Sequence, residues 1–234
     1  AVTAKASMLN MKNNEITRGE GVDMCDNVTS YVSSKTGILD SGRSAIFIDG
    51  LTTDGKLQTE IIYYRYSGLQ NPMQLRSEKL LPLCTRPAGY YSEDIDGDGD
   101  VEIPSTSPMI GYENAVADEM LYMTTWSVYE DFYDLKTKYT GYYAISDGYF
   151  VTFPKRWNNS VTVKKDSDTN ELVFYKYTGD INGSNEEIMR IAVSSKNDSE
   201  DHISDGYELI DSKGQLDYFV KLPLDRREKL IPTI

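Results

Sequence analysis

The sequence predicts a mainly β fold, with short strands arranged as stacked sheets or as the blades of a propeller. Short apolar runs in period-two alternation recur along the chain, each closed by a Gly/Asp-type turn. Tyrosine is abundant, at 18 of 234 residues, and with threonine it favours strands over helices. Hydrophobic residues make up 39% of the chain, enough to fill true cores in one large or two small domains.

Taken in order, Met8 to Met11 and Ile16-Thr17 flank the polar Lys12 to Glu15 and predict a hairpin. Val28 to Ser34 alternates as a strand, and the segment Gly37 to Gly42 turns the chain. Ser44 to Asp49 reads as a buried strand closed by Gly50, and Thr59 to Tyr66 as the next, after the Thr53-Asp54-Gly55 turn. Gly89 to Glu93 leads into an acidic loop that Val101 to Ile103 leaves. Pro104 and Pro108 argue against regular structure in 104–124, where Glu113 to Met123 reads as a short helix or a loop ending in a strand. Trp126 to Phe132 alternates as a strand, and Gly148 to Pro154 is a strand stopped by proline. Val161 to Asp166 and Glu171 to Tyr177 form a hairpin across Asp166 to Asn170. Glu187 to Ser195 fits a strand better than a helix of marginal length. Ser199 to Ser204 reads as a helical turn, and Tyr207 to Ile210 pairs with Gln215 to Leu222 in a last hairpin. The charged tail Asp225 to Lys229 is expected to fray.

Charge and composition exclude several classes. The net charge is −13, with no basic stripe to neutralise phosphates, so nucleic acid is not a partner. No apolar run reaches the length of a membrane span. The start, Ala1-Val2-Thr3-Ala4-Lys5, reads as a processed or excised end. Cys25 and Cys84 read either as one disulfide closing a long loop or as two buried thiols.

The chemistry concentrates in Asp94-Ile95-Asp96-Gly97-Asp98-Gly99-Asp100-Val101-Glu102, which sets five carboxylates in nine residues. At that density they repel one another, and a cation inside the loop relieves the repulsion. Alternation turns Asp94, Asp96 and Asp98 the same way, and Gly97 and Gly99 permit φ > 0. A main-chain carbonyl near Asp100 can add an oxygen, and Glu102 closes the set. Hard oxygen donors in this number suit Ca2+ better than Mg2+. The candidate metal ligands are therefore Asp94, Asp96, Asp98, Asp100 and Glu102, around a structural ion. Counted as an EF-hand from Asp94, Gly99 falls at the glycine position, but Ser105 stands where a bidentate glutamate belongs, and no amphipathic helix flanks the loop. The bland alternative is an Asp-Gly surface turn that binds nothing.

At these residues the chain resembles the FG-GAP and VCBS repeats of β-propeller proteins, whose calcium loop runs Asp-x-Asp-x-Asp-Gly-x-x-Asp-Leu. Asp94, Asp96, Asp98 and Gly99 match it, with Glu102 and Ile103 in the last two places. Ala45 to Gly50 through Ile61 to Tyr64 looks like a second blade without the acidic set. The later segments Asp147 to Trp157, Val161 to Tyr177 and Gly206 to Ile210 are similar to a C-terminal domain of lipoproteins from clostridia and related Firmicutes. That domain looks distantly like PsbP-type α/β sandwiches. The resemblance implies propeller-like blades over residues 1–135, a small α+β PsbP-like domain over 136–234, and a place outside the cell at a Gram-positive envelope. Any membrane attachment would then run through a lipid anchor outside this chain.

The residues leave two functions open. One is a non-catalytic, calcium-stabilised binding or scaffold protein with a protein or glycan ligand. Its candidate platform is Tyr63, Tyr64 and Tyr66 with the pairs Tyr90-Tyr91 and Tyr142-Tyr143, although alternate tyrosines on strands are more simply half-buried sheet residues. The other is a hydrolase acting on cell-wall or dietary polysaccharide, which needs two carboxylates about 5–10 Å apart. Asp131 and Asp134, in an aromatic setting, are its best candidates. No Gly-x-Ser-x-Gly elbow occurs, and His202 sits in an acidic stretch that reads as a solvated loop. One histidine and two distant cysteines do not make a zinc site. Trp126 and Trp157 read as core anchors.

Overall fold

The computed structural model describes residues 3–130 and 134–223, and it is mainly β. A hairpin pairs β1 (Lys5–Lys12) with β2 (Glu15–Asp23). Its turn residues Asn13 and Asn14 both take positive φ, which asparagine tolerates. A four-stranded antiparallel meander follows, made of β3 (Val28–Ile38), β4 (Ser44–Thr52), β5 (Leu57–Arg65) and β6 (Gly68–Gln70). The short helices α1 (Pro72–Leu75) and α2 (Ser77–Cys84) come next. Asn71 caps α1 by accepting from the Met73 N–H, and Pro72 sits where its missing N–H costs nothing. The two-residue strand β7 (Thr85–Arg86) pairs with β5.

With β7 the sheet of that meander has five strands; a four-stranded sheet follows in the order β11-β10-β9-β8, with β8 Ile103–Pro108, β9 Tyr122–Glu130, β10 Asp134–Ala144 and β11 Tyr149–Thr152. The expected irregularity after Pro104 is corrected here, because β8 runs from Ile103 through both prolines. It can do so as the terminal strand of its sheet, where an absent N–H breaks no ladder. A five-stranded antiparallel sheet completes the fold in the order β12-β13-β14-β16-β15. Its strands are β12 (Val161–Lys165), β13 (Leu172–Lys176), β14 (Glu186–Ser195), β15 (Glu208–Lys213) and β16 (Leu216–Lys221). The helix α3 (Ser199–Ser204) links β14 to β15. Among the described residues no sheet closes into a barrel and no ring of blades is formed.

The chain divides into two compact units, one of Ala1–Thr106 with Thr124–Thr140, the other of Ser107–Met123 with Gly141–Ile234. This differs from a single cut after residue 135. The first unit buries Phe47, Ile61, Tyr63, Met73, Leu80, Val101, Ile103 and Tyr129 in one core, with Cys25 and Cys84 among them. Both thiols are free, so the disulfide alternative is not adopted. In the second unit Phe153 meets Trp157 and Phe174 edge to face, at centroid distances of 5.4 and 6.2 Å, next to Val163, Met189 and Ile191. The segment 107–123 joins that core through Met109. It is tied to β12 where the Thr162 hydroxyl donates to the Ile110 carbonyl and the Tyr112 hydroxyl to that of Val163. On the other face of this sheet His202 stacks on Phe219 at 5.0 Å and meets Tyr207 edge-on, so the expected solvated position is corrected to a half-buried one.

Candidate metal centre

The loop 94–102 hangs from the core of the first unit by both its ends. Upstream, Asp49 on β4 and Arg86 are each about 1% exposed and form a buried pair at 2.8 Å. The Asp49 carboxylate also accepts from the Thr59 hydroxyl and from both the N–H and the hydroxyl of Ser92. Arg86 donates further to the Cys84 and Tyr90 carbonyls and to Thr59. This network fixes Ser92, two residues before the loop. At the loop's base Glu93 and Glu102 exchange backbone hydrogen bonds in an antiparallel bridge. Downstream, Val101 and Ile103 are buried, and the Gly99 carbonyl accepts from the Ile38 N–H of β3. Gly37 makes room for this approach, since a Cβ there would lie 2.7 Å from Val101 Cγ2.

Inside the loop the carboxylates take separate tasks. Asp94 caps the turn: Oδ1 accepts from the Gly97 and Asp98 N–H groups, and Oδ2 from that of Gly99. Gly97 and Gly99 stand at φ +77 and +94, which a side chain would strain. Asp98 Oδ1 accepts from the Asp100 N–H. Glu102 is fully buried, and its Oε2 accepts from the Ile95 N–H.

One oxygen each of Asp94, Asp96 and Glu102 lie within 4.8 Å of one another, so three of the five expected ligands converge. Asp98 and Asp100 stand outside this triple. What the sequence did not disclose is the cation already there. Lys138, on β10, places its ammonium 2.7 Å from Asp96 Oδ2, 2.5 Å from Asp98 Oδ2 and 2.8 Å from Glu102 Oε1. The Tyr139 hydroxyl donates to the same Asp96 oxygen at 2.7 Å. A basic residue roughly forty positions downstream carries no local signal of such a role.

The charges respond accordingly. Burial opposes the charged form of Lys138, but its bonds to Asp96, Asp98 and Glu102 outweigh that and hold the ammonium well above the usual lysine range. Burial also works on Asp96, yet Lys138 and Tyr139 keep its carboxyl below the ordinary value. Glu102 is raised by burial, against the pull of Lys138, and Asp100 by burial and then by the charge of Asp98. The donor set is all carboxylate oxygen, and an internal ammonium stands in for a cation among them, so the residues fit a hard ion.

The other candidates lie apart from this centre. Asp131 falls outside the described residues. Asp134 pairs with Lys79 at 3.2 Å on the surface. Within the tyrosine series Tyr63, Tyr90 and Tyr142 are buried, while Tyr64, Tyr66 and Tyr91 are exposed; Tyr63 and Tyr64 show the alternation of the strand β5, and Tyr66 stands in the turn after it at φ +51. Trp126 and Trp157 are buried anchors of the two units. The chain was compared with family models, curated proteins and solved structures, and it matches none of them.

Proposed function

We propose that this chain is a non-catalytic binding or scaffold module, stabilised by a calcium ion in the loop 94–102, and that it works outside the cell at a Gram-positive envelope. The observation that carries the reading is the convergence of Asp94, Asp96 and Glu102 oxygens around a position that already attracts positive charge. Asp94, Asp96 and Glu102 would hold the ion, with Asp98 and Asp100 beside them. The ion supplies charge neutralisation and loop rigidity, and no reaction. On this reading the β3-β4-β5-β6 meander is a blade of the FG-GAP/VCBS kind, and the β12–β16 sheet belongs to a PsbP-like domain. The acidic surface and the exposed Tyr64, Tyr66 and Tyr91 suit a protein or glycan ligand. Among the described residues no helix is long and apolar enough to cross a membrane.

Thermal unfolding in calcium and in excess chelator tests this. An ion that binds only the folded chain raises the midpoint with concentration, by about 2.7 kcal/mol of stability at a hundred-fold excess over Kd. The rise is expected in the wild type and absent in Asp96→Ala/Asp98→Ala. A midpoint indifferent to calcium would return the loop to a plain acidic turn.

A further inference from the structure

We infer that Lys138 is the loop's built-in cation and that a divalent ion enters only by exchanging with it, so that this one side chain sets the affinity of the loop for metal. The inference rests on the calcium reading above and concerns how that same site is regulated.

Geometry carries it. An ammonium has three N–H donors, and Lys138 directs its nitrogen at three carboxylates, those of Asp96, Asp98 and Glu102. Two of these, Asp96 and Glu102, belong to the converging triple. An oxygen lone pair engaged by an N–H is not free for a metal, and two positive charges cannot share so small a space without strong repulsion. Metal and ammonium therefore exclude each other. Glu102 explains why one of them must be present: it is fully buried, and a buried carboxylate left without a cation is costly. Lys138 also reaches the loop from β10, a separate strand, so it fastens the loop to the sheet. The loop is thus ordered before any ion arrives. When a metal takes over the carboxylates, Lys138 is released toward solvent, and the grip of β10 on the loop is reduced to the Tyr139 hydroxyl on Asp96. Occupancy of the loop is in this way coupled to the surface of β10.

The test is calcium titration of the full chain by calorimetry, comparing wild type with Lys138→Met. The methionine keeps the apolar stem and removes the charge. The variant should bind calcium about ten-fold tighter or more, the size of an ordinary coupling between two ligands of one site. Its thermal midpoint should depend on calcium more steeply than that of the wild type. A variant that folds only with calcium present would give the same answer, the metal having replaced the ammonium. Equal affinities in the two proteins would overturn the exchange and leave the calcium reading intact. No binding to either would overturn both. Should Lys138→Met fail to fold under every condition, amine labelling of the wild type decides. The Lys138 amine, shielded by three carboxylates, should become several-fold more reactive in saturating calcium, by about the same factor as the coupling, while the exposed Lys56 and Lys136 stay constant. Unchanged Lys138 labelling with calcium bound would overturn the proposal.

Discussion

Replacing Arg86 with methionine should destabilise the first unit by about 3–5 kcal/mol, the range for removing one partner of a buried ion pair. The figure follows from what the guanidinium leaves behind. Asp49 is about 1% exposed and keeps hydrogen bonds from Thr59 and Ser92, but its charge loses the cation 2.8 Å away. The Cys84 and Tyr90 carbonyls each lose the bond that the guanidinium donates, at about 0.5–1.5 kcal/mol for a typical hydrogen bond and more where the donor is charged. Part of that loss relaxes away, so the lower range stands for the whole change. Against a typical total of about 5–15 kcal/mol it is a large fraction. Urea unfolding followed by tryptophan fluorescence measures it in a Trp157→Phe background, where the buried Trp126 reports on the first unit alone. The double variant Asp49→Leu/Arg86→Met removes both charges and should be more stable than Arg86→Met. A loss below about 1 kcal/mol for Arg86→Met would refute the argument. So would a double variant as unstable as the sum of the two single ones, because either result means that the pair is not an electrostatic unit.

Two further outcomes follow from the same structure. Gly37→Ala places a Cβ 2.7 Å from Val101 Cγ2 and should cost about 1–3 kcal/mol while weakening calcium binding, since Val101 adjoins Glu102; unchanged stability by urea titration would mean that β3 shifts freely. Alkaline pH should unfold the chain. Burial raises Cys84 from 9.0 to about 12 and Tyr142 and Tyr207 from 10.0 to about 12, with a bond to Glu171 assisting at Tyr207. These protons are held more tightly in the folded chain, so their contribution is full below pH 9 and is lost as pH climbs toward about 12. Near-UV circular dichroism follows the transition, and a signal constant through pH 12 would contradict the burial of these groups.

Much of the strand inventory was legible in the chain because its signals are local. Alternation marked the Val161 and Leu172 strands, and a five-residue turn with Asn170 at φ +63 joined them. The asparagine pair at 13–14 announced the first hairpin in the same way. The helix Ser77–Cys84 was missed, since it is only eight residues long and carries Pro82. The strand through Pro104 and Pro108 was missed because proline forbids a central position and tolerates a terminal one, and strand order is not written in any local window.

By itself the sequence determined that the fold is mainly β and that acidic oxygen donors gather at 94–102, because composition, alternation and spacing act between neighbours. Tertiary structure alone decided the rest. It sent 107–123 to the second core through Met109 and Tyr112, and it chose Asp94, Asp96 and Glu102 from five acids. It also brought Lys138 into their midst. The physical reason is common to all three: long-range pairing of charge and burial is settled by which strands lie side by side, and a lysine some forty residues away acquires its meaning only when β10 carries it to the loop.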